Sequence, residues 1–297
     1  MSATAQRREQ AIGIALLAPT VLLFGLLILY PMLQSFWLSL HRTNTLTQRH
    51  SWVGLDNYAA LAADPAFWTS FLNTLIWTGG AVVLQLAVGV GVALLLHGSL
   101  IGRAFARGLV LFPYLLPTAV AVLVWRWLFN DLYGFLNHLL LSLGLIEKPV
   151  AWLSQMPDAM ISVILVGTWK FFPFVVIAVL ARLQSIPDAL YEAARIDGAR
   201  RWELFKDVTL PQLSGVLSIV VLLRAIWDFK EFDLVYLMTG GGPGIGTQTL
   251  PILVYRQAFQ MLHFGRGAAV AAAMCVFMLL FFAIYAYVNR RLESTGR

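Results

Sequence analysis

Residues 11–40 run for thirty positions without a single Asp, Glu, Lys or Arg, and so long an uncharged stretch has few ways to fold. Crossing a hydrocarbon core of roughly 30 Å takes about 20 mostly apolar residues as a helix. Inside lipid every backbone N–H and C=O must be satisfied within the segment, which a helix does and a loop does not. Five further runs fit the same description: residues 71–96 and 267–289 (both uncharged), 108–129 with Arg126 near its end, 159–181 with Lys170 in its middle, and 212–238 with charges in its second half. Six spans are therefore expected. Composition agrees, since only 12% of the 297 residues are charged and 59% are hydrophobic, against roughly 25% charged in soluble domains. A water-soluble enzyme of this length would lack the charges to cover its surface. The expectation is an all-α polytopic membrane protein.

Arg7 and Arg8 precede the first run in the manner of a signal peptide. The run exceeds the roughly 7–15 residues of an h-region, and no small-x-small cleavage pattern follows Tyr30, so it is expected to remain as the first helix. Orientation follows from the basic residues flanking the spans. With a cytoplasmic N-terminus, twelve fall inside (Arg7, Arg8, Arg103, Arg107, Arg182, Arg195, Arg200, Arg201, Lys206, Arg290, Arg291, Arg297) and five outside (Arg42, Arg49, Lys148, Arg256, Arg266). Both termini are expected to be cytoplasmic. The net charge of +6 then tracks the inner membrane face, and nucleic acid is not needed to explain it. The outer loops at about 41–70, 130–158 and 239–266 carry Trp52, Trp68 and Trp152, as an interfacial belt would. No repeat or low-complexity tract divides the chain, so residues 1–297 read as one membrane domain.

Chemistry is scarce. A lone cysteine, Cys275, excludes an internal disulfide, and His41, His50, His97, His138 and His263 are scattered without metal-ligand spacing. No catalytic, cofactor or metal site is expected. The glycine-rich run at residues 239–246 contains no Gly-Lys pair, nor does the rest of the chain, so it lacks the lysine of a phosphate-binding loop. It suits a tight turn where the fifth span ends, with Pro243 blocking continuation. Any ATP-driven activity must draw on a partner.

Residues 182–211 form a thirty-residue inner loop, RLQSIPDALYEAARIDGARRWELFKDVTLP. Ser185 and Asp188 have the spacing of a helix start, with Pro187 in the first turn. A helix over 187–196 would put Ala189, Leu190, Ala193 and Ala194 on one side, a small apolar stripe that another surface can approach closely. Gly198 stands where a left-handed helix end is wanted. A second short helix over 200–208 would display Trp202, Leu204, Phe205 and Val208 and end at Pro211. On these residues alone, a loop resting on the membrane through Trp202 and Phe205 is the competing reading.

Glu192-Ala193-Ala194, then Gly198, then Leu210-Pro211 resembles the EAA loop of binding-protein-dependent ABC importer permeases, with Val208 in the place of the usual Ile and Asp197 and Trp202 beside the motif. Residues 53–58 (VGLDNY), Phe232-Asp233 and Thr239-Gly240-Gly241-Gly242-Pro243 resemble the sugar-importing, maltose- and glycerol-phosphate-like branch. The resemblance implies a type I ABC importer permease fold in a bacterial or archaeal cytoplasmic membrane, not an enzyme. Its partners would be two cytosolic ABC ATPase subunits that bind ATP and Mg, a second homologous permease in a heterodimer, and an extracytoplasmic solute-binding protein. The chain itself would bind no cofactor. In that family the loop docks on the ATPase, which assigns coupling to Glu192, Ala193, Ala194, Asp197, Gly198, Trp202, Val208, Leu210 and Pro211, and transport proceeds by alternating access.

Charges within the spans are the second candidate site, because each costs roughly 2.5–3.5 kcal/mol at a bilayer centre. Lys170 lies in span four; Arg224, Asp228, Glu231 and Asp233 lie in span five with Trp227, Phe232 and Tyr236. Arg224 and Asp228, four residues apart, can form a structural ion pair. Alternatively the set lines a path for a neutral, hydroxyl-rich solute, with carboxylate and guanidinium groups binding hydroxyl pairs and a flat ring facing a sugar. A transporter driven by an ion gradient, with Lys170, Asp228 and Glu231 as relay, is the rival; its signature of an inverted repeat with broken helices is not visible.

Overall fold

The computed structural model describes residues 3–44, 49–98 and 101–295. Arg297 lies outside the described residues, as do the side chains of Arg7, Arg8 and Arg49. From the start, α1 (Ala3–Phe24) passes through a π-helical turn (Gly25–Leu29) into α2 (Tyr30–Ser39), followed by a hairpin of β1 (His41–Asn44) and β2 (Arg49–Trp52). Next come α3 (Asp56–Ala62), α4 (Pro65–His97), α5 (Arg103–Leu115), α6 (Thr118–Leu128), α7 (Phe135–Ser142) and α8 (Asp158–Leu183). The chain continues through α9 (Asp188–Ile196), α10 (Arg201–Glu203), a π-helical stretch (Leu204–Thr209), α11 (Leu210–Phe229), α12 (Asp233–Thr239), α13 (Leu250–Tyr255) and α14 (Phe264–Thr295).

Among the described residues five helices are long and apolar enough to cross a membrane: Ile12–Ser39, Pro65–His97, Asp158–Leu183, Arg201–Phe229 and Phe264–Arg291. The sixth expected span, residues 108–129, is a broken one: α5 and α6 meet at 95°. Pro117 explains the break, since it has no N–H to donate and drives the residue before it out of the helical region. Leu116 is extended, at φ −65° and ψ 138°. The fifth span also differs from the expected 212–238. It starts earlier, at Arg201, and stops at Phe229, where Lys230–Phe232 turn the chain into α12. Charge density does this: the Glu231 carboxylate accepts the Leu234 N–H at 2.9 Å and so starts a new helix.

The chain divides into two compact units, Met1–Asp64 with Leu253–Val276, and Pro65–Ile252 with Phe277–Arg297. In the first, the side chains of the span Ile12–Ser39 are exposed over its apolar window, as a lipid-facing helix requires. The hairpin pairs His41 with Trp52, and Asn57 ties α3 to it by donating to the Ser39 and His41 carbonyls. In the second, two apolar clusters form the core. One gathers Trp77, Ala81, Val122, Met160, Val163, Val166, Leu234 and Ile252; the other gathers Ala93, Leu96, Val175, Val179, Leu183, Ile186 and Leu213. Small residues let α4 and α8 approach closely, as in lipid-embedded helix pairs generally. A Cβ on Gly167 would meet the Trp77 ring at 2.3 Å, and one on Gly89 would meet Val175 at 2.5 Å. Trp152, expected at the interface, is instead half-buried against the first cluster, donating its indole N–H to Asn137 Oδ1 at 2.9 Å.

Candidate functional site: the inner loop and the polar cluster

The loop starts where α8 ends, and Arg182 anchors its base by donating to the Gln212 carbonyl at 2.9 Å and to Gln212 Oε1 at 2.7 Å. Ile186 is buried in the core. Ser185 does not cap the following helix as expected; its hydroxyl donates back to the Arg182 carbonyl at 2.8 Å, and Pro187 occupies the N-cap with no side-chain cap. The reason is local: Ser185 is already held in the turn closing α8. α9 then carries Glu192, Ala193 and Ala194, with Ala189, Leu190, Glu192 and Ala193 exposed and Ala194 half-buried.

Gly198 has φ +87° and ends α9 in a Schellman motif. The Ala199 N–H reaches the Ala194 carbonyl at 2.9 Å and the Gly198 N–H reaches Arg195 at 3.1 Å. The second helix differs from expectation. It begins after Arg200, whose N–H is held by the Glu203 carboxylate, and does not end at Pro211. A π-helical stretch over Leu204–Thr209 carries it without interruption into α11. Wider i→i+5 bonding makes room for a proline ring and its missing N–H, and the Leu210 N–H accordingly bonds the Phe205 carbonyl. Thr209 reinforces the stretch, with its hydroxyl 3.2 Å from the Leu204 carbonyl and 3.1 Å from Tyr191 Oη. Trp202, Asp197, Leu210 and Pro211 are exposed and Val208 is half-buried. Leu190, Ile196 and Trp202 expose 42%, 86% and 69% of their surfaces, more apolar area than a helical connection between spans requires.

The polar cluster is built differently. Arg224, 2% exposed, donates its Nε to Gln85 Oε1 at 2.7 Å and pairs with Asp228 on the next turn. Its guanidinium lies 4.6 Å from the Phe171 ring and 5.6 Å from the Trp227 ring. The Trp77 indole donates to the Asp228 carbonyl at 2.8 Å. In front lies a cavity of about 380 Å³ lined by Tyr114, Phe171, Arg224, Trp227, Lys230, Glu231, Phe232 and Asp233. Five of the eight sequence-chosen pathway residues, Arg224, Trp227, Glu231, Phe232 and Asp233, thereby share the cavity wall. Asp228 is 1% exposed and sits behind Arg224; Tyr236 stacks on Phe232 at 4.9 Å but lines a separate cavity of about 750 Å³ with Arg126, Asp131 and Tyr133.

Lys170 is where the structure corrects the sequence reading most. Its ammonium, 3% exposed, donates to the Leu116 carbonyl at 2.6 Å and the Pro113 carbonyl at 3.2 Å. These are carbonyls left without helical partners by the 95° bend. The lysine is a cap for a broken span, not part of the cavity wall. Tyr114 and Phe171, which the sequence reading missed, adjoin this clamp: one follows Pro113, the other follows Lys170. Only the proline beside Tyr114 was a usable signal, since it marks an irregular backbone that lines space.

Residues 85–294 match the model of the family described as binding-protein-dependent transport system inner membrane component. The chain belongs to this family. Relatives agree over nearly its full length. The trehalose/maltose transport system permease protein MalF of Thermococcus litoralis is 36% identical over 283 residues, 95% of each chain. The inner membrane ABC transporter permease protein YcjO of Escherichia coli is 34% identical, over 98% of this chain and 97% of its own. The sulfoquinovosyl glycerol transport system permease protein SmoG of Agrobacterium fabrum is 33% identical over 95% and 91%. Among solved structures, a chain of a bacterial ABC transporter involved in import of the acidic polysaccharide alginate superposes with a TM-score of 0.83 at 21% identity, covering 97% of this chain and 98% of that one. The fold is thus that of an ABC importer permease, and the protein is a multi-pass inner-membrane transport subunit. Both the exposed loop and the 380 Å³ cavity fall within the matched part of the permease.

Proposed function

We propose that this permease carries a sugar or sugar-like solute inward by alternating access, driven by two ATPase subunits that bind ATP and Mg and dock on α9. A solute-binding protein delivers the solute from outside, and a second homologous permease completes the pathway as a heterodimer. The supporting observation is the loop: the EAA spacing folds into a short exposed helix terminated by Gly198 at φ +87°, tied by Arg182 and Tyr191 to the start of the helix whose far end carries Arg224 and Asp228. Pressure on α9 therefore reaches the cavity wall through a single continuous helix. The basic residues Arg195, Arg200, Arg201 and Lys206 support a cytoplasmic position for this loop by the distribution of charge.

The sugar reading rests on the cavity's chemistry together with the relatives' substrates. Trp227, Phe232 and Tyr114 supply flat faces, and Lys230, Glu231 and Asp233 supply donors and acceptors for hydroxyls, the pairing of stacking with charge-assisted hydrogen bonds that polyols favour. Arg224 closes the back of this wall, oriented by Gln85 and Asp228.

The deciding experiment is purification of the complex bearing Gly198→Val or Ala194→Trp, followed by hydrolysis assays with and without loaded binding protein. The bundle should stay folded while ATPase retention and stimulated hydrolysis fall. Wild-type stoichiometry and stimulation in both variants, or solute uptake that persists without the ATPase, would overturn the proposal.

A further inference from the structure

A third cavity belongs neither to the loop nor to the solute path. It measures about 130 Å³ and is lined by Arg42, Thr43, Asn57, His263, Gly265 and Arg266. Arg42 lies on β1, just beyond the end of the span Ile12–Ser39, and Arg266 lies in the first turn of α14, which opens the span Phe264–Arg291. The cavity therefore sits where two membrane-crossing helices end, at the depth of lipid headgroups. Two aromatic rings mark the same level: Trp37 stacks on His41 at 3.8 Å and Trp52 meets it edge-on at 5.1 Å.

Its floor is rigid. Asn57, 6% exposed, holds the Ser39 and His41 carbonyls at 2.7 and 3.1 Å. Gly265 presses so close to the His41 carbonyl that a Cβ there would lie 2.0 Å from the oxygen, and its N–H points to Thr43 Oγ1 at 3.4 Å. The rim is cationic. Arg42 and Arg266 are exposed, and among the described residues neither has an ion-pair partner. Two guanidinium groups left open over a rigid polar floor are set for an anion from outside the chain.

We propose that this cleft binds the phosphate of an anionic phospholipid. Guanidinium forks match phosphate oxygens bidentately, the amino end of α14 adds positive potential, and the exposed apolar side chains of Ile12–Ser39 give the acyl chains a surface to follow. The lipid thereby ties the end of the first span, whose apolar side chains find little protein to pack on, to the start of the last.

The test uses the complete transporter reconstituted in nanodiscs containing equal parts phosphatidylglycerol and phosphatidylcholine, then released in mild detergent for native mass spectrometry. Wild type should retain phosphatidylglycerol preferentially, and the double variant Arg42→Gln/Arg266→Gln should lose that preference by about tenfold, as expected for removing charge-assisted hydrogen bonds. Arg266→Lys keeps the charge without the fork and should lose part of it; this variant decides the matter if the double one purifies poorly. Unchanged preference in the purified variants overturns the proposal. Equal thermal protection by inorganic phosphate overturns it in favour of a free-anion site. Unchanged lipid retention with lost stimulation by loaded binding protein overturns it in favour of a protein-docking surface.

Discussion

Arg224 and Asp228 in the bundle, and Trp202 and Ile196 in the inner loop, sit on the same polypeptide within thirty-three residues of one another, yet they are treated in opposite ways. The bundle's ion pair finds its partners within the chain: Arg224 holds Asp228 and Gln85 Oε1, and the Trp77 indole reaches the Asp228 main-chain carbonyl. Asp228 Oδ2 and Gln85 Nε2 have no hydrogen-bond partner among the described residues. The loop's apolar groups are left open to the surroundings, 86% exposed for Ile196. Where lipid is the solvent, an unpaired charge is costly and must be closed inside the chain. Apolar surface left open in water gains by finding a complement, the role proposed above for an ATPase at this loop. On that proposal, the two regions differ in who supplies the missing partner.

Truncation breaks this contrast hardest at the ion pair. Arg224→Ala and Asp228→Ala each strand a buried charge, at a cost of about 3–5 kcal/mol, and should sharply reduce folded protein measured by size-exclusion yield and thermal midpoint. The double variant Arg224→Met/Asp228→Leu should recover much of the yield. Solute uptake should stay low, because Arg224 lines the cavity; recovered uptake would make the pair purely structural. Next in size is Lys170→Met, which orphans the Pro113 and Leu116 carbonyls at about 1–3 kcal/mol apiece. A lowered thermal midpoint with reduced uptake is expected, and an unchanged midpoint would remove the lysine from its capping role.

In the loop the order of stability and function reverses. Gly198→Ala meets no neighbouring atom within 4 Å, so its cost is the left-handed backbone alone, about 1–2 kcal/mol; Gly198→Val adds β-branching to the same strain. Both should leave the bundle's thermal midpoint nearly unchanged while lowering hydrolysis stimulated by loaded binding protein. Smallest for stability is Trp202→Ala, an exposed change expected within about 0.5 kcal/mol. Its measurable effect should be weaker ATPase retention on co-purification, and full retention would take Trp202 out of the docking surface.

Some of this was legible in residue order and some was not. Five spans and the Gly198 helix end were readable because apolar runs and a glycine's freedom are local properties. Residues 108–129 read as one span, and the 95° break at Pro117 belongs to the structure. The identity of the group that mends the break was beyond reach: Lys170 is 54 residues from Leu116, and nothing in spacing links them. For the same reason Lys170 read as a solute contact, since a charge in a span looks identical whether it faces a cavity or a bent backbone. At four residues' distance the Arg224–Asp228 pair was one of two open readings; the structure forms the pair, with only Arg224 at the cavity wall and its Nε held by Gln85, 139 residues away.

Hydropathy, charge asymmetry and the spacing of Glu192, Gly198 and Pro211 determined by themselves that this chain lives in a membrane, which loop faces the cytoplasm by expectation, and what family it resembles. These follow from free energies that neighbouring residues settle among themselves: transfer to lipid, helix continuation, a left-handed turn. Tertiary structure alone decided that Pro211 is carried through a π-helical stretch, that Tyr114 and Phe171 join the cavity wall, and that Lys170 does not. The π-helical stretch is held by the Phe205 carbonyl and by Thr209 with Tyr191. The cavity wall and the Lys170 clamp instead hang on rings and carbonyls brought close by α5 and α8 packing together, and a buried polar group takes whichever partner that packing puts within hydrogen-bonding distance.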